Sequence, residues 1–247
     1  MELSDICRDV RRERPLVLNL TNDVAMNFTA NALLAIGARP LMSLAAEEME
    51  ELVGISSAVV VNIGSITNEK LTAMKLAGRA ATTRHKPWVL DPVGAGASRL
   101  RTDSALQLLE MHPSVLRGNA AEIMALAGCS IHSKGVDSDE DTLAALPSAK
   151  SLAGKYGCIV SVSGEVDRIT DGNTVMQVTG GDPIMSRVTA MGCTATAITA
   201  AFCAVCSDFL EASFLAMSLM SRAGEKAAAS SSGHGSMAVA FLDALGE

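Results

Sequence analysis

The spacing of apolar residues changes in a regular rhythm along the chain. "PLVLNL" (15–20) is a short, mostly apolar run that ends in Thr21-Asn22-Asp23. Behind it, "VAMNFTANALLAIGA" (24–38) places apolar residues at helical intervals, with Gly37 as the C-cap. The order then repeats: "AVVVNIGSI" (58–66) precedes a helical stretch over 68–85, and "WVLDPVGAGA" (88–97) precedes one over about 102–111. "SVLRGNAAEIMALAG" (114–128) reads as a strand feeding directly into a helix, and "CIVSVSGEVDRITDG" (158–172) as a strand, a loop and a hairpin. After residue 190 helical spacing dominates, over 191–206, 209–230 and 236–245.

Strands that are apolar throughout need cover on both faces. Alternating strands and helices therefore predict an α/β protein with a mostly parallel central sheet and helices on both sides. No repeat, low-complexity tract or linker divides the sequence, so residues 1–247 are expected to form one domain. A formal charge of −7 argues against a general nucleic-acid binder, though backbone N–H groups and a few cations still suffice for a phosphate site. The six cysteines show no disulfide rhythm, and the Cys203/Cys206 pair lies in an apolar run without a second pair, as buried thiols would. Reduced thiols point to the cytoplasm. The N-terminus is too polar for a secretory signal, and the run 190–206 contains Gly and several Thr, so no membrane span is expected.

Polar residues gather where ligands bind in open parallel sheets, at the carboxyl ends of the strands: Asn19, Thr21 and Asn22; Asn62; Asp91; Arg117 and Asn119; Ser163 and Glu165. Any one of these can be a cap or turn former; five strand ends in succession point to a site. Asp91 precedes a Gly-rich loop, where Gly94 and Gly96 let backbone approach a ligand. In "RGNAAEI" Glu122 stands three residues after Asn119, which fits a capping box. It equally fits a carboxylate that joins Asp91 in holding Mg²⁺, with Arg117 facing nucleotide phosphate. "VTAMGCTATA" (188–197) places Cys193 on the first turn of a helix, where N–H groups converge and the dipole is expected to lower the thiol pKa. Cys193 can be a base toward a substrate hydroxyl, a covalent nucleophile paired with His85, His112, His132 or His234, or a buried small residue.

"LTNDVAMNFTANALLAIGARPLM", "NIGSIT", "DPVGAGAS", "RGNAAEI", "GEVDRITDG" and "VTAMGC" together resemble, in order and spacing, the pattern of hydroxyethylthiazole kinases, over roughly 12–245. The resemblance implies a ribokinase-like three-layer fold and a homotrimer with active sites at subunit interfaces. It also implies transfer of the γ-phosphoryl of ATP, with Mg²⁺, to the hydroxyl of 4-methyl-5-(2-hydroxyethyl)thiazole. On this pattern Asn22, Met42, Ala190 and Gly192 meet the thiazole substrate, Arg117, Asn119 and Ser163 meet the nucleotide, Asp91 and Glu122 the metal, and Cys193 is catalytic. The family's usual Thr is Ser163 here, which keeps the hydroxyl. Its usual G-x-G-C is "AMGC" here, so a methyl stands at Ala190; if the position needs a positive φ, it costs on the order of 1 kcal/mol. A pyrimidine-alcohol kinase and a non-catalytic binding protein are the rival readings.

Overall fold

The computed structural model describes residues 1–129 and 141–247. Eight strands form one sheet: β1 (Leu16–Leu20), β2 (Arg39–Met42), β3 (Ala58–Asn62), β4 (Trp88–Asp91), β5 (Val115–Asn119), β6 (Ile159–Ser163), β7 (Asp167–Thr170) and β8 (Val175–Val178). Their spatial order is β2-β1-β3-β4-β5-β6-β7-β8. The first six run parallel, and β7 and β8 return antiparallel as a meander.

Strand alternation divides the core into two layers. Val17 and Val60 point to one side, while Leu18, Leu20, Val59 and Val61 point to the other. The first side is covered by α1 (Leu3–Glu13), α2 (Met26–Ala35), α8 (Met191–Cys203), α9 (Phe209–Ser230) and α10 (His234–Leu245). The second is covered by α3 (Met49–Ile55), α4 (Asn68–Thr83), α5 (Arg99–Leu109), α6 (Ala120–Leu126) and α7 (Asp141–Tyr156). This is the expected α/β architecture.

The most buried helix is α8, with 11 of its 13 residues out of solvent. Ala, Thr and Gly dominate it, and small side chains let it lie tightly on β1, β3 and β4. Its N-terminus thereby arrives at the carboxyl edge of the sheet. Cys203 and Cys206 are buried at its far end, where the Cys206 thiol donates to the Asp208 carbonyl at 3.4 Å.

Some boundaries differ from expectation. α5 starts at Arg99 rather than near 102, because the Ser98 hydroxyl caps it by accepting from the Arg101 N–H. The polar N-terminal stretch is itself a helix, α1, which buries Ile6 and Val10. β2 is a four-residue edge strand containing Pro40, too short and irregular for a period to show. None of the described helices is long and apolar enough to cross a membrane.

Candidate active site

Three strand ends and the start of α8 form one hydrogen-bonded cluster. Asn22 lies just beyond β1, Asn62 ends β3 and Asp91 ends β4; their exposures are 6%, 0% and 2%. The Asn62 side-chain amide donates to Asp91 Oδ2 at 2.7 Å and to Cys193 Sγ at 3.2 Å. The Asn22 amide donates to Asn62 Oδ1 at 3.0 Å and to the same sulfur at 3.2 Å. Thr196, one turn along α8, donates its hydroxyl to Asp91 Oδ2 at 2.7 Å. Gly64 leaves room for this packing: a Cβ there would stand 2.6 Å from Asn22 Cβ.

The cluster floors a cavity of about 270 Å³ lined by Asn22, Val24, Gly64, Ser65, Val93, Thr189, Ala190 and Cys193. Arg101 braces its rim by donating to the carbonyls of Ile63, Gly64 and Val93. Nothing in the sequence pattern singles out that arginine, because its partners are backbone atoms of two distant loops. Met42 ends the edge strand beside Asn19 and is not among the cavity residues. Asn19, fully buried, donates to the Val17 carbonyl within the sheet and is not among the cavity residues.

Ala190 is the N-cap residue of α8, with φ 68° and ψ 3°. The left-handed backbone expected from the family's glycine is therefore adopted by a residue that carries a methyl, and that residue lines the cavity. That conformation costs a Cβ-bearing residue about 1–2 kcal/mol, whereas glycine loosens the unfolded chain by about 0.4–1 kcal/mol. Ala190→Gly is accordingly expected to raise stability by about 0.5–1 kcal/mol in urea unfolding; a loss of stability would show that the methyl packs usefully in the folded protein.

On the other side of Asp91, Arg117 is 7% exposed and its Nη1 donates to the Gly192 carbonyl at 2.9 Å. Gly192 is needed there, since a Cβ would come within 2.9 Å of that nitrogen. Arg117 thus holds the first turn of α8, a contact the sequence reading did not foresee. Asn119 and Ser163 sit opposite each other on β5 and β6, and the Ser163 hydroxyl donates to the Gly118 carbonyl at 3.4 Å.

Glu122 is a complete capping box: Asn119 accepts from the Glu122 N–H, and Glu122 Oε2 accepts from the Asn119 N–H, both at 2.9 Å. Its other oxygen accepts from the Gly94 N–H at 2.8 Å. Burial first, and the Asp91 charge second, push its pKa up. The two readings of Glu122 are therefore compatible. The carboxylate pair is close enough to couple, and a shared cation would relieve that repulsion. No group of three or more His, Cys, Asp or Glu forms a metal cage among the described residues. Two carboxylates are nevertheless the donor set Mg²⁺ takes when phosphates and waters complete its shell.

The thiol is not activated as the sequence implied. Burial, then Asp91, push the Cys193 pKa up, and the amides of Asn22 and Asn62 with the Arg117 charge only partly offset them. Desolvation is the largest influence on the thiol. His85, His112 and His234 are neither hydrogen-bond partners of Cys193 nor cavity residues, and His132 lies outside the described residues. A Cys–His pair with any of the three described histidines is therefore ruled out by position.

Behind Arg117, burial pushes Asp167 up to about 6, with the Gly164 N–H and the Arg117 charge opposing. A carboxylate raised in this way destabilises the fold once ionised: the cost is absent below the usual carboxylate pKa and fully present above about 6. Asp167→Asn is expected to melt higher than the wild type at pH 7.5 and level with it near pH 4. Thermal melts across that range check this, and a difference independent of pH would refute it.

A helix N-terminus, a pair of carboxyl groups and an open cavity at the carboxyl edge of a parallel sheet are the parts that a phosphotransferase of the ribokinase-like fold would use. In fold alone, the chain resembles a ribokinase-like superfamily protein from Enterococcus faecalis, with TM-score 0.67, 16% identity, and coverage of 99% of this chain and 94% of that one. It also resembles the pyridoxal kinase of Staphylococcus aureus, with TM-score 0.63, 16% identity, and coverage of 86% and 88%. The chain belongs to the hydroxyethylthiazole kinase family, whose sequence model matches residues 7–247. It is 53% identical to the hydroxyethylthiazole kinase of Nitratidesulfovibrio vulgaris (strain DP4) over 237 residues, covering 96% of this chain and 89% of that protein. With the enzyme of Brachyspira hyodysenteriae it shares 51% over 245 residues, covering 99% and 92%. The structure of a hydroxyethylthiazole kinase protein from Pyrococcus horikoshii OT3 superposes with TM-score 0.91 at 39% identity, covering 99% of this chain and 92% of that one.

Proposed function

We propose that the protein transfers the γ-phosphoryl of ATP to the hydroxyl of 4-methyl-5-(2-hydroxyethyl)thiazole, in thiamine salvage. The observation that carries this reading is the convergence of Asn22, Asn62, Asp91 and the α8 start around one small cavity, in a chain of this family. Asn22, Ala190, Gly192 and Cys193 face the acceptor, whereas Met42, at the end of β2, lies outside the cavity wall. Arg117, Asn119 and Ser163 belong to the nucleotide side. Asp91 and Glu122 would hold Mg²⁺, which when bound neutralises phosphate charge.

The N–H groups at the start of α8 bind the charge on the phosphoryl in flight. Cys193 orients the hydroxyl. A loose transition state needs positioning more than a strong base, so a thiol that stays protonated is adequate. The cavity opens beside Val24, which is 67% exposed although it lines the site. The homotrimer with sites at subunit interfaces is what the family resemblance implies, and the exposed Val24 at the cavity mouth is where a neighbouring subunit would meet the site. Thiols such as Cys193 in the site fit a cytoplasmic, reducing compartment.

Cys193→Asp is expected to match or exceed wild-type kcat. A carboxylate accepts the same two amide hydrogens and takes up the hydroxyl proton without a tuned pKa. Coupled ADP-release kinetics measure it, and abolished activity would return the covalent scheme. The same assay with a panel of alcohols tests the substrate: preference for a hydroxymethylpyrimidine over the thiazole overturns the assignment.

A further inference from the structure

We propose that Asn62 is a positioning residue that makes the Cys193 sulfur a hydrogen-bond acceptor from protein, so that its S–H is turned into the cavity as a donor to the acceptor oxygen. The inference rests on the acceptor-site reading above.

Two backbone donors settle the orientation of both amides. The Gly64 N–H donates to Asn62 Oδ1 at 3.0 Å, and the Ala25 N–H donates to Asn22 Oδ1 at 3.0 Å. A backbone N–H can only donate, so each of these side-chain atoms must be the carbonyl oxygen and the other the NH₂ group. Asp91 Oδ2 also receives the hydroxyl hydrogen of Thr196, which makes it an acceptor and fixes the Asn62 assignment a second time. Both NH₂ groups then spend one hydrogen each on Cys193 Sγ, at 3.2 Å. Their remaining hydrogens go to Asn62 Oδ1 and Asp91 Oδ2.

Asn62 therefore has all four of its hydrogen-bonding positions filled, at 0% exposure, and has no freedom to flip. The sulfur receives two N–H hydrogens and, among the described residues, has no protein acceptor for its own. Its free direction is the cavity, where Cys193 stands beside Thr189 and Ala190. A hydroxyl oxygen bound there accepts from the thiol through one lone pair and directs the other at the γ-phosphorus. As that O–P bond forms and the bond to the ADP oxygen breaks, the hydroxyl proton passes to an oxygen of the transferred phosphoryl. The same amide that sets this polarity also touches Asp91, so the acceptor side and the metal side share one rigid side chain.

The S–H stretch of Cys193, read as the infrared difference between wild type and Cys193→Ala, reports this directly in the full-length protein. A protonated band is expected at neutral pH that moves to lower frequency when the thiazole alcohol is added. In Asn62→Asp the carboxylate offers the sulfur an acceptor in place of a donor. The oxygen that replaces the amide nitrogen shares a proton with Asp91 Oδ2 and offers the sulfur a lone pair. The band is then expected to be already lowered without alcohol and unresponsive to it, with kcat down about ten- to a hundredfold. If that variant does not fold, the wild-type band alone decides. A wild-type band that is absent, or indifferent to the alcohol, overturns the proposal, as does an Asn62→Asp band that behaves like wild type. Alcohol-dependent ADP release by the wild type is scored separately. Its loss would overturn the acceptor-site reading, while release with an indifferent band overturns only the role of Asn62.

Discussion

Asp91→Asn is expected to lower kcat by about a thousandfold while leaving the fold intact, an effect of roughly 4 kcal/mol on the transition state. The separation of the two outcomes follows from which oxygen does what. Asn62 and Thr196 both bond to Oδ2, and an asparagine can keep a carbonyl oxygen at that position. Replacing the other oxygen by NH₂ removes a ligand for the metal. The substitution also removes a buried charge whose ionisation burial opposes, together with the repulsion it exerts on Glu122. Thermal stability is therefore expected to hold or rise as activity collapses. Steady-state ADP release paired with thermal melts checks this. Activity within tenfold of wild type would take Asp91 out of the phosphoryl-transfer machinery.

Arg117→Met gives the opposite pairing, losing both. The methionine fills the volume of the stem but supplies neither the hydrogen bond to the Gly192 carbonyl nor the charge that faces Asp91. Asp91 then loses the positive charge that favours its ionised form, and a loosened first turn of α8 disturbs the N–H groups proposed to hold the phosphoryl. A kcat loss of about a hundredfold or more is expected, with a raised KM for ATP and an unfolding midpoint clearly below that of Asp91→Asn. Arg117→Lys should not rescue it, because an ammonium has no planar fork to reach past Gly192 to the carbonyl. A stable, fully active Arg117→Met would show that the contact with Gly192 is incidental.

These two residues also show what the sequence could and could not reveal. Asp91 and Arg117 stand out because polar side chains end strands that are otherwise apolar. The same alternation gave the sheet, its parallel core and both helical layers. Short edges were lost: β2 has too few residues for a period, and the apolar stripe of α1 is hidden among charges. The conformation of Ala190 was readable only because a glycine pattern stood behind it. Contacts across the chain were not readable at all. Asn62 and Cys193 are 131 positions apart, and Arg101 works entirely on backbone carbonyls. The thiol pKa was misjudged for a related reason: a helix dipole is visible in sequence, whereas the burial that raises the pKa exists only after packing.

Product analysis tests the central claim most directly. Purified protein incubated with ATP, Mg²⁺ and the thiazole alcohol is followed for ADP and for the phosphate ester by mass spectrometry. The account predicts one ester formed per ADP released, and almost no ADP without the alcohol. ADP release that is the same with and without it, or binding of the alcohol with no ester formed, would contradict the account.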